Sequence, residues 1–101
     1  MNKTFLTFFI PGPNWVAGKT SREQPCWTEH AVFMDALFED GTVVMGGPFA
    51  DYRRILVVVE ASDANAARDL FERDPFIVQG ILHLESVHEW LIFLDPRKKG
   101  E

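Results

Sequence analysis

The sequence predicts a single α+β domain with its elements in the order βαββαβ, and three observations carry that expectation. Runs of branched and aromatic residues at 4–10, 42–45, 54–60 and 82–93 read as strands. Between them, apolar residues recur at helical spacing in two stretches, one after Pro25 and one after Ser62. Glycine and proline punctuate the boundaries at Pro11-Gly12-Pro13, Gly41, Gly46-Gly47-Pro48 and Pro75. A chain of 101 residues has material for one core, expected over residues 1–96 with a polar tail at 97–101. The order is that of ferredoxin-like α+β domains, in which both helices cover one face of an antiparallel sheet.

The first strand, residues 4–10, is ended by the Pro-Gly-Pro breaker, and a loop over 14–22 follows. Pro25 suits the first turn of a helix whose apolar positions are Trp27, Ala31, Met34 and Phe38, with Gly41 as its stop. A short second strand at 42–45 is expected to break at the two glycines and Pro48. The third strand covers 54–60. Ser62 is the expected N-cap of a second helix with Ala64, Ala67, Leu70 and Phe71 inward, ending before Pro75. A long last strand takes 82–93.

Two of these strands are apolar on both faces. Leu6, Phe8 and Ile10 alternate with Phe5 and Phe9, and Ile55, Val57 and Val59 alternate with Leu56 and Val58. Two helices cover only one face. Leaving several large side chains of the other face in water would forgo about 1.5–3 kcal/mol of burial each. A homodimer formed through the open face removes that loss, and two sheets facing one another make a dimeric α/β-barrel with room for a small-molecule cleft.

Composition narrows the function. Apolar residues at 47% and charged residues at 25% are a globular balance. A net charge of -5 repels phosphate backbones, so no nucleic-acid partner is expected, and the short basic group Arg97, Lys98 and Lys99 reads as a solvated tail. The lone Cys26 offers neither a disulfide nor a Cys-x-x-Cys motif. The apolar run at 5–10 is too short for a signal core or a membrane span, so a cytoplasmic chain without a membrane partner is expected. His83 and His88 lie five residues apart on the last strand, on opposite faces by simple alternation, and no His-x-His or His-Glu-x-x-His spacing occurs. No metal and no cofactor are therefore expected, since phosphate-cradling glycine patterns are missing as well.

Few residues remain that could do chemistry. His30 borders the apolar stripe of the first helix, within about 40° of Met34 and 20° of Leu37 on a 100° step. It can serve as a general acid/base near neutral pH or as a boundary histidine satisfied by a backbone carbonyl. Asp74, before Pro75, can finish a turn or orient His30. Gly46, Gly47 and Pro48 would let a ligand approach the backbone. Trp15, Phe49 and Trp90 are available to wall a cleft, with Gly47 and Pro48 as further substrate contacts.

His30, Gly41, the 46–51 turn Gly-Gly-Pro-Phe-Ala-Asp, and Asp74-Pro75-Phe76 followed by Gly80 together resemble the YCII-related domain family. The resemblance spans nearly the whole chain. Residues 87–90 resemble the family's closing strand, with Glu89 where many members have proline. It implies a dimeric α/β-barrel with a histidine and an aspartate as the candidate active-site pair, carried onto His30 and Asp74. Related barrel families include muconolactone-isomerase-like enzymes and cofactor-free monooxygenases. Two readings follow. In one, His30 moves a proton on a small, cyclic or aromatic substrate in lyase or isomerase chemistry while Asp74 holds the imidazole. In the other, the chain is a non-catalytic ligand-binding or accessory dimerisation domain.

Overall fold

The structure is a computed structural model and describes residues 2–98. Strand β1 (Lys3–Pro11) leads through a loop and a 3-10 turn (Ser21–Glu23) to helix α1 (Trp27–Glu39). Strands β2 (Val43–Pro48) and β3 (Ile55–Ala61) form a hairpin; helices α2 (Ala64–Asp69) and α3 (Pro75–Val78) follow, then strand β4 (Leu82–Glu89) and a last 3-10 turn (Pro96–Lys98). The strands make one sheet in the order β2-β3-β1-β4, and all three pairings are antiparallel. This small α+β arrangement is compatible with a ferredoxin-like fold.

Alternation along the central strands sorts their side chains. Phe5, Thr7 and Phe9 of β1 and Ile55, Val57 and Val59 of β3 are buried and join Ala67, Phe71 and Phe76 of the helical layer in one core. Thr7, fully buried, is satisfied by donating its hydroxyl to the Val57 carbonyl at 2.7 Å. The other face carries Leu6, Phe8, Ile10 and Leu56, all half-buried, and Val58, which lies between Leu6 of β1 and Met45 of β2 and is only 3% exposed.

Several boundaries depart from the sequence expectation, each for a local reason. β2 continues through Gly46, Gly47 and Pro48, because these residues pair with Val57, Leu56 and Ile55; an edge strand tolerates a proline whose missing N–H faces away from its partner. α1 starts at Trp27, since Cys26 before it adopts a left-handed φ of 65° and separates Pro25 from the helix. The N-cap of α2 is Asp63 instead of Ser62, its carboxylate accepting the Ala66 N–H at 2.8 Å. Ala64 is exposed, and α2 ends before Leu70 and Phe71. α3 is a separate helix that the sequence expectation lacks; Asp74 caps it and Pro75 fills its first position, where a missing N–H does no harm. β4 stops at Glu89, which pairs with Phe5, and one further bond from the Trp90 N–H to the Thr4 carbonyl closes the ladder.

A bulge in β4 opposite Phe8 and Phe9 also resets its alternation. His83 stands opposite Ile10 and His88 opposite Leu6, so both histidines share the open face instead of lying on opposite faces. They remain roughly 13 Å apart along the strand, too far to share a metal ion. The basic tail also differs from the expectation, for Arg97 bonds to Asp95 at 2.8 Å and to Glu60 at 3.3 Å; Lys99 to Glu101 lie outside the described residues. Among the described residues no helix is long and apolar enough to cross a membrane.

Candidate active site

None of the residues of α1 is fully buried, although the helix packs over the sheet. A cavity of about 710 Å³ beneath it explains this: Trp27, His30, Met34 and Phe38, which share one side of the helix, line the cavity's roof. Phe9, Val57 and Ile55 form part of its floor, and Gly46, Gly47 and Pro48 of β2 form a wall. Its volume falls within the usual range for small-molecule sites. At Gly46 a Cβ would come within 3.3 Å of Val57 Cγ1 and the Leu56 carbonyl, so the absence of a side chain there suits the space.

His30 enters this cavity from the first turn of α1, where its N–H bonds to the Cys26 carbonyl at 2.9 Å. Its Nδ1 lies 2.7 Å from Asp74 Oδ1, and Asp74 is 1% exposed. The same oxygen accepts the Phe76 N–H at 3.0 Å, the capping bond of α3. An oxygen in that position is an acceptor, so the hydrogen bond assigns the imidazole proton to Nδ1. Phe76 then stacks face to face on the imidazole, with ring centroids 3.8 Å apart and planes 6° from parallel, while Trp27 leans on its edge at 5.6 Å.

Those contacts hold the ring in one plane and one tautomer. Nε2 on the other side of the ring has no partner among the described residues, and no buried side-chain nitrogen or oxygen lacks one. Nε2 therefore opens to the cavity. The same reasoning applies to Asp74 Oδ2 and to the hydroxyl of Tyr52, another residue lining the cavity. Chemically, the arrangement offers a proton acceptor at Nε2 with a carboxylate placed to stabilise the charge it would gain.

Of the residues singled out in the sequence, His30, Asp74, Gly47 and Pro48 meet at this cavity. Trp15, Phe49 and Trp90 do not line it. Trp15 lies half-buried against the core beside the Gly12 turn, and Phe49 sits in the hairpin loop with its N–H closing onto the Arg54 carbonyl. Trp90 follows the far end of β4, whose beginning, Leu82, is the end that reaches the cavity; it borders a second groove with Lys3 and Phe93. Trp27, Phe76, Tyr52 and Arg22 were missed. A spacing of three residues before His30 could have marked Trp27 as a neighbour. Nothing local marks Tyr52, which reaches the site from a left-handed φ of 58° in the hairpin loop. Among the described residues no cluster of three or more His, Cys, Asp or Glu is placed to hold a metal ion.

A small α+β domain with an antiparallel sheet and a histidine–carboxylate contact at a cavity is the class that fold and site define. The family model of the YCII-related domain matches residues 6–91, and the chain belongs to that family. No curated protein and no solved structure matches it.

Proposed function

We propose that the protein is an acid–base enzyme of lyase or isomerase type, in which His30 moves a proton on a small cyclic or aromatic molecule without a bound cofactor. The observation that carries this reading is the 2.7 Å contact of Nδ1 with a buried carboxylate while Nε2 opens to a cavity of ligand size. Nε2 takes a proton from a C–H or O–H of the bound molecule, and Asp74 stabilises the imidazolium so formed. Delivery of that proton to another atom completes an isomerisation; departure of a leaving group from the neighbouring carbon completes an elimination. The apolar floor and the Phe76 stack limit water around the imidazole, which strengthens its attraction to Asp74.

Proton abstraction can be read without knowing the final product. The chain is incubated in D2O with a panel of cyclic lactones and enones, and deuterium uptake is followed by NMR. The intact protein is expected to exchange a specific C–H above the buffer rate, and His30→Gln to fall to that rate with its fold unchanged. Equal exchange in His30→Gln, or its unfolding, would refute the catalytic role. Binding of panel compounds with no exchange in any would favour a ligand-binding domain.

A second copy of this chain on the open sheet face belongs to the same proposal. Leu6, Phe8, Ile10 and Leu56 present a half-buried apolar surface there, extended by Met45, which is 60% exposed. A polar margin surrounds it, with Arg54 paired to Glu85 at 3.1 Å and His88 set edge-on to Phe8. An apolar centre inside a polar rim is the composition of a protein interface.

A further inference from the structure

We infer that the ligand of this cavity is a small carboxylic acid held by Arg22, an inference that rests on the acid–base reading of His30 and adds the substrate's charge to it. Arg22 is the one lysine or arginine among the lining residues, in a chain whose net charge is -5. Among the described residues it has no acidic partner, the ion pairs there being made by Lys3, His30, Arg54 and Arg97. An exposed arginine is ordinary; one that borders a cavity with its charge uncompensated is a ready site for an anion.

Its placement is fixed by the loop beneath it. Gln24, buried within that loop, accepts the Val16 N–H at 2.8 Å and donates its amide to the carbonyls of Val16 and Lys19. The neighbouring acid, Glu23, is occupied. Its carboxylate accepts the Thr20 N–H at 2.9 Å, and that bond holds it below the usual carboxylate range. The turn thus presents Arg22 without neutralising it.

The guanidinium lies 5.8 Å from the Trp27 ring centroid, within cation–π range, and Trp27 in turn lies 5.6 Å from His30. Guanidinium and imidazole thus both neighbour the indole at the cavity. The two spacings cap the distance from guanidinium to imidazole at their sum. A ring bearing a carboxylate, with hydrogen bonds at both ends, spans roughly 10 Å and fits within that cap. Arginine's planar fork matches a carboxylate with two parallel bonds, which would aim the ring's far side at Nε2. Asp35 also lines the cavity, but about 12 Å further along α1 than Trp27, so the negative charge belongs to the opposite end. Asp74 has its Oδ1 engaged by His30 and Phe76 and its Oδ2 open to the cavity beside the imidazole, which again places the ligand's carboxylate at the Arg22 end.

The test uses the full chain with benzoate, benzamide and benzylamine as probes of one shape and three charges, titrated by two-dimensional NMR. Benzoate is expected to shift the Trp27 indole signal and to bind at least about tenfold tighter than benzamide, the equivalent of one charge-assisted hydrogen bond. Arg22→Gln should remove that preference, Arg22→Lys should keep part of it, and Arg68→Gln, a charge-matched change on α2, none of whose residues line the cavity, should leave it intact. Equal binding of benzoate and benzamide, a preference that survives in Arg22→Gln, tighter binding of benzylamine, or no shift with any probe at its solubility limit would each overturn the inference. Benzoate binding that depends on Arg22, without proton exchange on any compound, would sink the acid–base reading and leave the ligand class standing. Exchange confined to uncharged lactones, with no benzoate preference, would do the reverse.

Discussion

Asp74 does two structural tasks with one oxygen, and replacing it separates them from its charge. In Asp74→Ala, α3 loses its cap, the Phe76 N–H bond worth about 1 kcal/mol, and the His30 Nδ1–H loses its acceptor. Leaving such a donor unsatisfied costs about 1–3 kcal/mol, so the total is roughly 2–4 kcal/mol. For a domain of this size that corresponds to a fall in Tm of roughly 10–25 °C. Asp74→Asn behaves differently. Its Oδ1 can still accept from both donors, and its amide would stand where Oδ2 already opens to the cavity, so the loss is expected below about 1 kcal/mol. With the counter-charge gone, an imidazolium formed in turnover is stabilised less, and proton exchange is expected to slow by roughly 10- to 100-fold. Thermal unfolding by circular dichroism, paired with the deuterium assay, reads both quantities. If Asn destabilises as much as Ala, or exchange proceeds at the original rate in Asp74→Asn, the separation of cap from charge is wrong.

Three further outcomes follow from the same structure. Leu56→Lys places a charge on the open face and should yield a monomer that still unfolds cooperatively, whereas Val57→Lys, only 4% exposed and facing the helices, should lose more than about 3 kcal/mol; sedimentation showing both variants still dimeric, or the original chain monomeric, counts against the interface. Gly12→Ala would drive its Cβ into the Gly80 carbonyl, where β1 leaves the sheet beside the turn after α3, and should cost about 1–3 kcal/mol in urea unfolding; an unchanged midpoint would mean that the turn yields freely. Asp95 is held at about 2 instead of its ordinary 3.8, chiefly by its hydrogen bonds to Arg97, so its contribution to the C-terminal turn is present above pH 3.8 and disappears as pH falls through about 2; a carboxyl NMR titration with its midpoint at the ordinary value would contradict this.

The sheet was largely legible because its evidence is periodic. Alternating apolar residues in β1 and β3 mark two faces whatever the chain does elsewhere, and Gly41, with a φ of 85°, stops α1 where a residue with a Cβ would resist. What failed depends on partners. Gly46, Gly47 and Pro48 look like a break until β3 is placed beside them, and His83 and His88 change sides only because β4 bulges against β1. The N-cap moved by one residue from Ser62 to Asp63, since both side chains can accept an N–H and only the local φ and ψ choose between them.

The site was legible in a different way. Forty-four residues separate His30 from Asp74, and no local rule joins them; the resemblance of the motifs did. Their meeting has a physical origin that can be traced after the fact. Pro75 starts α3 immediately after Asp74, so capping turns the carboxylate inward, and the Phe76 that follows brings its ring beneath the imidazole. One tripeptide therefore supplies acceptor, turn and stacking partner. The apolar stripe of α1 has the spacing of a core-facing helix, yet Trp27, Met34 and Phe38 face open volume, and Phe38 stays 59% exposed. Periodicity reports which side of a helix avoids water; it does not say whether that side meets a packed sheet or a cavity. A stripe with a histidine at its border, none of its residues fully buried and a helix-capping aspartate in hydrogen-bond contact with that histidine is what distinguishes the second case from the first.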